Sequence, residues 1–195
     1  MPAPHYALSE VLIVLGAIWV SWRLVQSGAW AGALGVAIFG CAAGIGVYRF
    51  GTDQIESYAS LHAAFSQIGG ATAMALVAVE SAKAALPRWG QWHWGVAATL
   101  VAATLGVGLV SAELTTPLFL VWLIAAIIAA IAVPGQTPRA RAASGLVMAI
   151  FLANVLLVRR SPMLGADPSW HLFHVLIALW IIGVWWVLSR SERSG

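Results

Sequence analysis

Two histidines open the last apolar segment of the chain, in DPSWHLFHVLIALW. His171 and His174 are three residues apart, so on a helix their side chains project from neighbouring parts of one face. A third histidine, His62, opens an earlier apolar segment in ESYASLHAAFSQIGG. Neutral imidazole is a good zinc ligand, and three protein ligands leave the open position that a catalytic zinc site needs. The spacing predicts a zinc site of His62, His171 and His174 if the fold brings the two segments together.

Several polar residues near these histidines are candidates for catalytic roles. The carboxylates predicted to lie beside the site are Asp53, Glu56 and Asp167. A carboxylate next to zinc can ligate the metal, orient a histidine or act as a general base. Ser66, one helical turn after His62, is a candidate hydrogen-bonding partner. Asp167, followed by Pro168 and Ser169, also fits an ordinary helix start, and both interpretations stay open.

The elements that position these residues are membrane spans. The 195 residues are 61% hydrophobic and only 9% charged, with a mean hydropathy of +0.89. Soluble domains are about a quarter charged, and apolar segments of about 20 residues cross a bilayer. We predict one all-α domain over residues 1–195, a polytopic membrane bundle of seven spans. They cover residues 7–26, 29–49, 58–80, 93–112, 116–133, 141–158 and 170–189.

Basic residues predict the orientation of the bundle, because lysine and arginine near short loops are retained in the cytoplasm. The odd-numbered connections and the C-terminus carry Arg23, Lys83, Arg88, Arg139, Arg141, Arg190 and Arg193. The even-numbered connections carry Arg49, Arg159 and Arg160. We therefore expect the N-terminus outside and the C-terminus in the cytoplasm, in a bacterial inner membrane. The histidine site then lies near the outer face.

Composition and motifs also exclude some functions. The basic residues sit singly or in pairs at segment ends, so no basic patch for nucleic acid exists. The seventh span has no lysine for a retinal Schiff base, and the sequence has no P-loop, HExxH, GxSxG or CxxC motif. Two alternatives to a zinc enzyme stay open. One is a non-catalytic transporter, lipid-binding receptor or assembly subunit; the other is haem ligation by His62 and His174.

The chain also resembles a known superfamily of seven-span membrane proteins, the alkaline ceramidases and the progestin and adiponectin receptors. The segment SWHLFHVLIAL is similar to the receptor pattern Ser, His, any residue, apolar, Phe, His, Val. GIGVYRFG is similar to a ceramidase stretch that begins Gly, apolar, Gly, Ser. Five positions of the family's site pattern can be compared with this chain. The chain has the family's histidine at His174 and a different residue at the other four, which are Val47, Gly51, His62 and Trp170.

The resemblance implies a hydrolase or hydrolase-like receptor with a zinc ion held by three histidines. In this chain those ligands would be His62, His171 and His174, or the metal has been lost. Zinc would activate a water molecule for attack on an ester or amide carbonyl. We therefore expect a zinc-dependent membrane hydrolase that acts on a membrane lipid.

Overall fold

The computed structural model describes residues 4–86, 92–159 and 161–191. Its elements in chain order are α1 (Tyr6–Gln26), α2 (Trp30–Gly51), α3 (Ala59–Ala64), a π-helical turn (Phe65–Gly69), α4 (Gly70–Ala85), α5 (His93–Val110), a 3₁₀ turn (Ala112–Leu114), α6 (Thr115–Ala132), α7 (Pro138–Ala153), a second π-helical turn (Asn154–Val158) and α8 (Ala166–Ser191). Together with the short turns that continue them, these helices form seven segments long and apolar enough to cross a membrane. The chain is an integral membrane protein, as its composition predicts.

Each predicted span corresponds to one observed segment. The largest difference is in the third span, where the helix continues to Ala85 instead of ending at residue 80. Glu80 is buried inside this helix and does not mark its polar end. The seventh span begins at Ala166, because Asp167 and a proline suit the first turn of a helix. Three basic residues used to predict the orientation, Arg88, Arg160 and Arg193, lie outside the described residues.

Aromatic and small side chains fill the centre of the bundle. Trp180 of α8 is fully buried, and its ring lies 5.7 Å from that of Phe39 and 4.7 Å from that of Phe151 in edge-to-face contacts. Gly35 lets α2 approach α4 closely, since a Cβ there would lie 2.6 Å from the carbonyl oxygen of Ala73. Small residues at such crossings are typical of membrane helix packing.

One end of the bundle is held by a buried carboxylate. Glu80 of α4 accepts hydrogen bonds from the backbone nitrogens of Ala31 (2.9 Å) and Gly32 (3.2 Å) in the first turn of α2. Its other oxygen pairs with Lys83 at 3.0 Å. A negative charge is favourable at a helix N-terminus, where backbone N–H groups lack helical partners. Glu80 therefore ties α4 to α2, which is a structural role.

An aromatic cluster marks the other end, which we call the site end. Trp170 of α8 contacts Tyr6 of α1 at a ring-centroid distance of 5.0 Å and Phe50 of α2 at 5.3 Å. The Phe50 ring also meets that of His62 on α3 at 6.0 Å. The starts of the first, third and seventh spans therefore converge with the end of the second. This convergence brings the candidate histidines to one region.

Candidate functional site

A buried glutamate on the first span lies at the centre of the site. Glu10 is one turn into α1 and is only 2% exposed. It fits there because α2 has a glycine opposite it: a Cβ at Gly46 would lie 2.6 Å from Glu10 Oε1 and 2.8 Å from its Cδ. An ionisable side chain buried in a membrane span is rare and usually functional.

Two imidazoles flank this carboxylate. Glu10 Oε1 lies 3.3 Å from His174 Nε2 and 3.7 Å from His62 Nε2. Neither contact is a hydrogen bond, and among the described residues Oε1 is the one buried carboxylate oxygen without a hydrogen-bond partner. A buried acceptor of this kind is usually explained by a bound ion, a water molecule or a catalytic role. The distances show electrostatic contact between the carboxylate and both rings.

The partners of His174 determine where its protons lie. Its Nδ1 is 2.7 Å from the backbone carbonyl oxygen of Trp170, so Nδ1 carries a proton and donates it. In a neutral ring, Nε2 then carries a lone pair, and this nitrogen lies 3.3 Å from Glu10 Oε1. A buried carboxylate oxygen and an imidazole nitrogen therefore lie side by side, and these are the two groups that an acid–base pair needs.

His62 has the opposite arrangement. Its Nδ1 is 3.3 Å from Nη1 of Arg49, and a guanidinium can only donate hydrogen bonds. Nδ1 of His62 therefore accepts, and the proton of a neutral ring lies on Nε2, the atom 3.7 Å from Glu10 Oε1. Arg49 is itself held by its Nε, which donates to the carbonyl oxygen of Ile55 at 2.6 Å. His62 thus links the positive charge of Arg49 to the negative charge of Glu10.

These groups line a cavity of about 750 Å³ at the site end. Its ionisable lining residues are Glu10, Arg49, His62, Arg159 and His174. Hydroxyl and amide groups come from Ser66, Gln67, Thr115, Thr116, Ser161 and Ser169. The apolar walls include Ile13, Phe39, Phe119, Phe151 and Ile177. A cavity of this size, with apolar walls and a few convergent polar groups, is typical of a small-molecule site.

The first half of the third span lines this cavity. Its α4 half is largely buried, whereas neither α3 nor the π-helical turn that follows has a buried residue. Ser66 and Gln67 lie in that π-helical turn and line the cavity, and both are exposed. π-Helical turns are rare and recur at functional sites. This half-span is therefore loosely packed where it lines the cavity.

The structure separates the residues that the sequence groups together. His62, His174 and Ser66 line the cavity, but His171 does not. The Nδ1 of His171 lies 3.2 Å from Ser9 Oγ, and its ring contacts that of His5 at 5.1 Å.

The three predicted carboxylates also lie outside the cavity lining. Asp53 and Glu56 are exposed in the turn between α2 and α3, and Asp53 has a positive φ of 57°. Asp167 accepts a hydrogen bond from the Tyr6 hydroxyl, which joins the starts of α8 and α1. Glu10 is the carboxylate that the fold brings to the histidines.

The structure brings two of the three predicted zinc ligands together. His62 and His174 line the cavity, and His171 does not. In the part of the chain that the structure describes, no three His, Cys, Asp or Glu side chains form a metal-binding group. The zinc site stays a prediction of the sequence.

Haem ligation is a separate prediction for the same pair of rings. It requires the iron to lie between His62 and His174, where Glu10 Oε1 lies within 3.7 Å of both Nε2 atoms. An iron bound to both nitrogens would therefore have a buried carboxylate oxygen beside it. The geometry therefore favours an acid–base site over a bis-histidine haem site.

The function is argued from the chemistry of the site, because comparisons with known proteins gave no match. No protein-family model matches the chain, and no curated protein and no solved structure matches it. The resemblance to the ceramidases and receptors stays a prediction based on residue patterns. Of the two histidines in SWHLFHVLIAL, His174 lines the cavity and His171 does not.

Three site residues were missed among the catalytic candidates, and each had a signal in the sequence. Glu10 is the only ionisable acid in the first span, and an acid at that depth indicates a functional site. Arg49 and Arg159 are two of the three basic residues that oppose the predicted charge bias of the loops. Both line the cavity, which gives these cations a role other than anchoring helices.

Proposed function

We propose that this protein is a membrane-embedded hydrolase that cleaves an ester or amide bond of a lipid bound in the cavity. The observation that carries this proposal is the buried Glu10 carboxylate, 3.3 Å from His174 Nε2 in the lining of a mixed polar and apolar cavity. The resemblance of the seventh span to membrane hydrolases and related receptors supports the same class of reaction.

The acid–base pair supplies the proton transfers that hydrolysis requires. The carboxylate of Glu10 takes a proton from a water molecule as the water oxygen attacks the carbonyl carbon. The protonated Nε2 of His174 gives its proton to the leaving oxygen or nitrogen as the bond to that atom breaks. The pair ends with as many protons as it began with, and transfer of one proton from Glu10 to His174 restores the starting state.

Other residues of the cavity position the substrate and the pair. The hydroxyl of Ser66 and the amide of Gln67 are donors available to the substrate carbonyl oxygen, where negative charge develops during attack. His62 and Arg49 hold Glu10 from the side opposite the reacting bond, through the contact of His62 Nε2 with Oε1. The apolar walls accept the acyl chain.

The test is release of fatty acid from defined lipids by the detergent-purified protein. We expect the wild type to hydrolyse at least one of phosphatidylglycerol, a lysophospholipid or a ceramide, with products measured by mass spectrometry. Glu10→Gln keeps the shape of the side chain but cannot exchange a proton, so activity should fall by about 10²–10⁴-fold. The matched control is Glu113→Gln, at an exposed residue outside the cavity lining, which should keep full activity.

Two outcomes oppose the proposal. Saturable lipid binding without any fatty-acid release would indicate a lipid-binding protein in place of a hydrolase. A content of about one zinc per chain that is lost in His174→Ala would indicate the zinc mechanism that the sequence predicts, and the acid–base mechanism proposed above would then be wrong. Metal content is measured on protein purified without chelators.

Orientation and location extend the proposal. From the bias of basic residues, we place the site end on the outer side of a bacterial inner membrane. A reporter fused after α8 that is active only in the cytoplasm should then be active. If this cytoplasmic reporter is inactive and a periplasmic reporter at the same position is active, the orientation is the opposite of the proposed one.

A further inference from the structure

The charged residues of the cavity lining are mostly cationic. Arg49, Arg159 and a single acid, Glu10, line it, and Glu10 contacts His174 and His62. Arg49 is a permanent positive charge and the one acid of the lining already contacts two imidazoles, so the lining favours a negatively charged occupant.

Arg49 has hydrogen-bonding capacity left for such an occupant. A guanidinium has five N–H donors, and the described acceptors of Arg49 are the Ile55 carbonyl oxygen at Nε and His62 Nδ1 at Nη1. Within the described residues, no carboxylate forms an ion pair with Arg49. The Nη2 group is therefore available for an anionic oxygen, and arginine binds phosphate and carboxylate through paired donors.

Arg159 is on a different element of the same cavity. It ends the sixth span, and its guanidinium lies over the ring of Phe173 on α8 at 5.5 Å. This contact holds a positive charge against an apolar wall. Arg49 and Arg159 thus present cationic groups from the second and sixth spans to one cavity.

The apolar part of the lining indicates that the anion is attached to a hydrocarbon chain. Phe39, Phe119 and Phe151 line the cavity together with the polar groups, and all three lie in membrane-spanning helices. A free polar anion would gain nothing from these walls. A lipid places its headgroup at the arginines and its chain along the phenylalanines.

We infer that the lipid that binds in this cavity has a negatively charged headgroup, as an anionic glycerophospholipid has. This inference rests on the proposed function for the identity of the site, and it names the class of substrate. The phosphate diester meets the Arg49 side chain, and the acyl ester reaches Glu10 and His174 in the same cavity. A neutral lipid has no anion for Arg49, and a zwitterionic headgroup brings a cation towards it.

The experiment measures binding of lipids with identical acyl chains to the full-length protein in detergent. Native mass spectrometry compares phosphatidylglycerol with phosphatidylcholine, and inorganic phosphate is added as a competitor. We expect phosphatidylglycerol to bind the wild type about tenfold more tightly or better, because both lipids offer a phosphate diester but the choline of phosphatidylcholine brings a positive charge towards the arginine. Arg49→Gln should remove this preference. The matched control is Arg23→Gln, at an arginine of α1 that lies over Trp185 outside the cavity, and it should keep the preference.

Each outcome bears on the inference. Equal binding of the two lipids by the wild type would overturn it, and this arm requires no variant to fold. Competition by inorganic phosphate as effective as that by phosphatidylglycerol would identify a soluble anion and overturn the lipid assignment. Selective binding of phosphatidylglycerol without hydrolysis would support the inference and refute the proposed hydrolase. Hydrolysis of phosphatidylcholine as fast as that of phosphatidylglycerol would support the hydrolase and refute the inference.

Discussion

Gly46 controls the position of the Glu10 carboxylate, and a methyl group there should disable the site without unfolding the bundle. In Gly46→Ala, the new Cβ would lie 2.6 Å from Glu10 Oε1 and 2.8 Å from Cδ. Ordinary van der Waals contact begins at about 3.5 Å, so the carboxylate must move by roughly 0.7–0.9 Å. The atoms that must yield belong to a side-chain end, so the loss of stability should stay near 1–3 kcal/mol.

Such a displacement is large for catalysis. The Glu10 to His174 contact is 3.3 Å and the contact to His62 is 3.7 Å, and a shift of this size separates the carboxylate from at least one ring. A misplacement of about 1 Å in a catalytic group can reduce the rate about 100-fold. We therefore expect Gly46→Ala to lose about two orders of magnitude in fatty-acid release.

The control variant is on the same helix. Gly44→Ala adds a Cβ that would meet nothing within 4 Å, so activity should be unchanged. Activity is measured by mass spectrometry of released fatty acid, and folding by thermal unfolding and gel filtration in the same detergent. If Gly46→Ala is folded and as active as Gly44→Ala, then the position of Glu10 does not set the activity and the reasoning is refuted.

Two further predictions separate the roles of the other buried groups. His171→Ala should keep at least half of the wild-type activity, because the His171 ring is outside the cavity lining. His174→Ala should lower fatty-acid release at least about 100-fold. Equal losses in the two variants would indicate that both histidines belong to the site. Glu80→Ala should lower the free energy of unfolding by on the order of 3 kcal/mol, since it leaves two N–H groups of α2 without their acceptor. The activity per folded molecule of Glu80→Ala should be unchanged, and a loss of activity without loss of stability would contradict a purely structural role.

The seven spans were predictable because segment length and hydropathy are fixed by the thickness of the bilayer. The end of the third span was not, because a charged residue normally marks the boundary of a span. Glu80 stays inside the helix because Lys83 and the N-terminus of α2 compensate for its charge. That compensation depends on contacts between spans, which hydropathy does not report.

The site was predictable only in part. His62 and His174 were identified by residue type and depth, and the fold brings both to Glu10. Residues three apart on a helix differ by roughly 60° around its axis, which is enough to turn His171 towards Ser9 while His174 lines the cavity. The rotation of an almost uniformly apolar helix has no signal in its sequence. Glu10 could have been found by asking which span carries an ionisable residue without a charged neighbour.

Glu10 contacts two histidines whose ring protons are expected at opposite positions, and nitrogen NMR can observe those positions. The protein is labelled with ¹⁵N-histidine, and the signals of His62 and His174 are assigned by replacing each histidine in turn. We expect the neutral His62 ring to carry its proton on Nε2, His174 to carry one on Nδ1, and Glu10→Gln to shift both signals but not that of His171. A proton on Nδ1 of His62, an unprotonated Nδ1 on His174, or signals unchanged by Glu10→Gln would contradict this expectation.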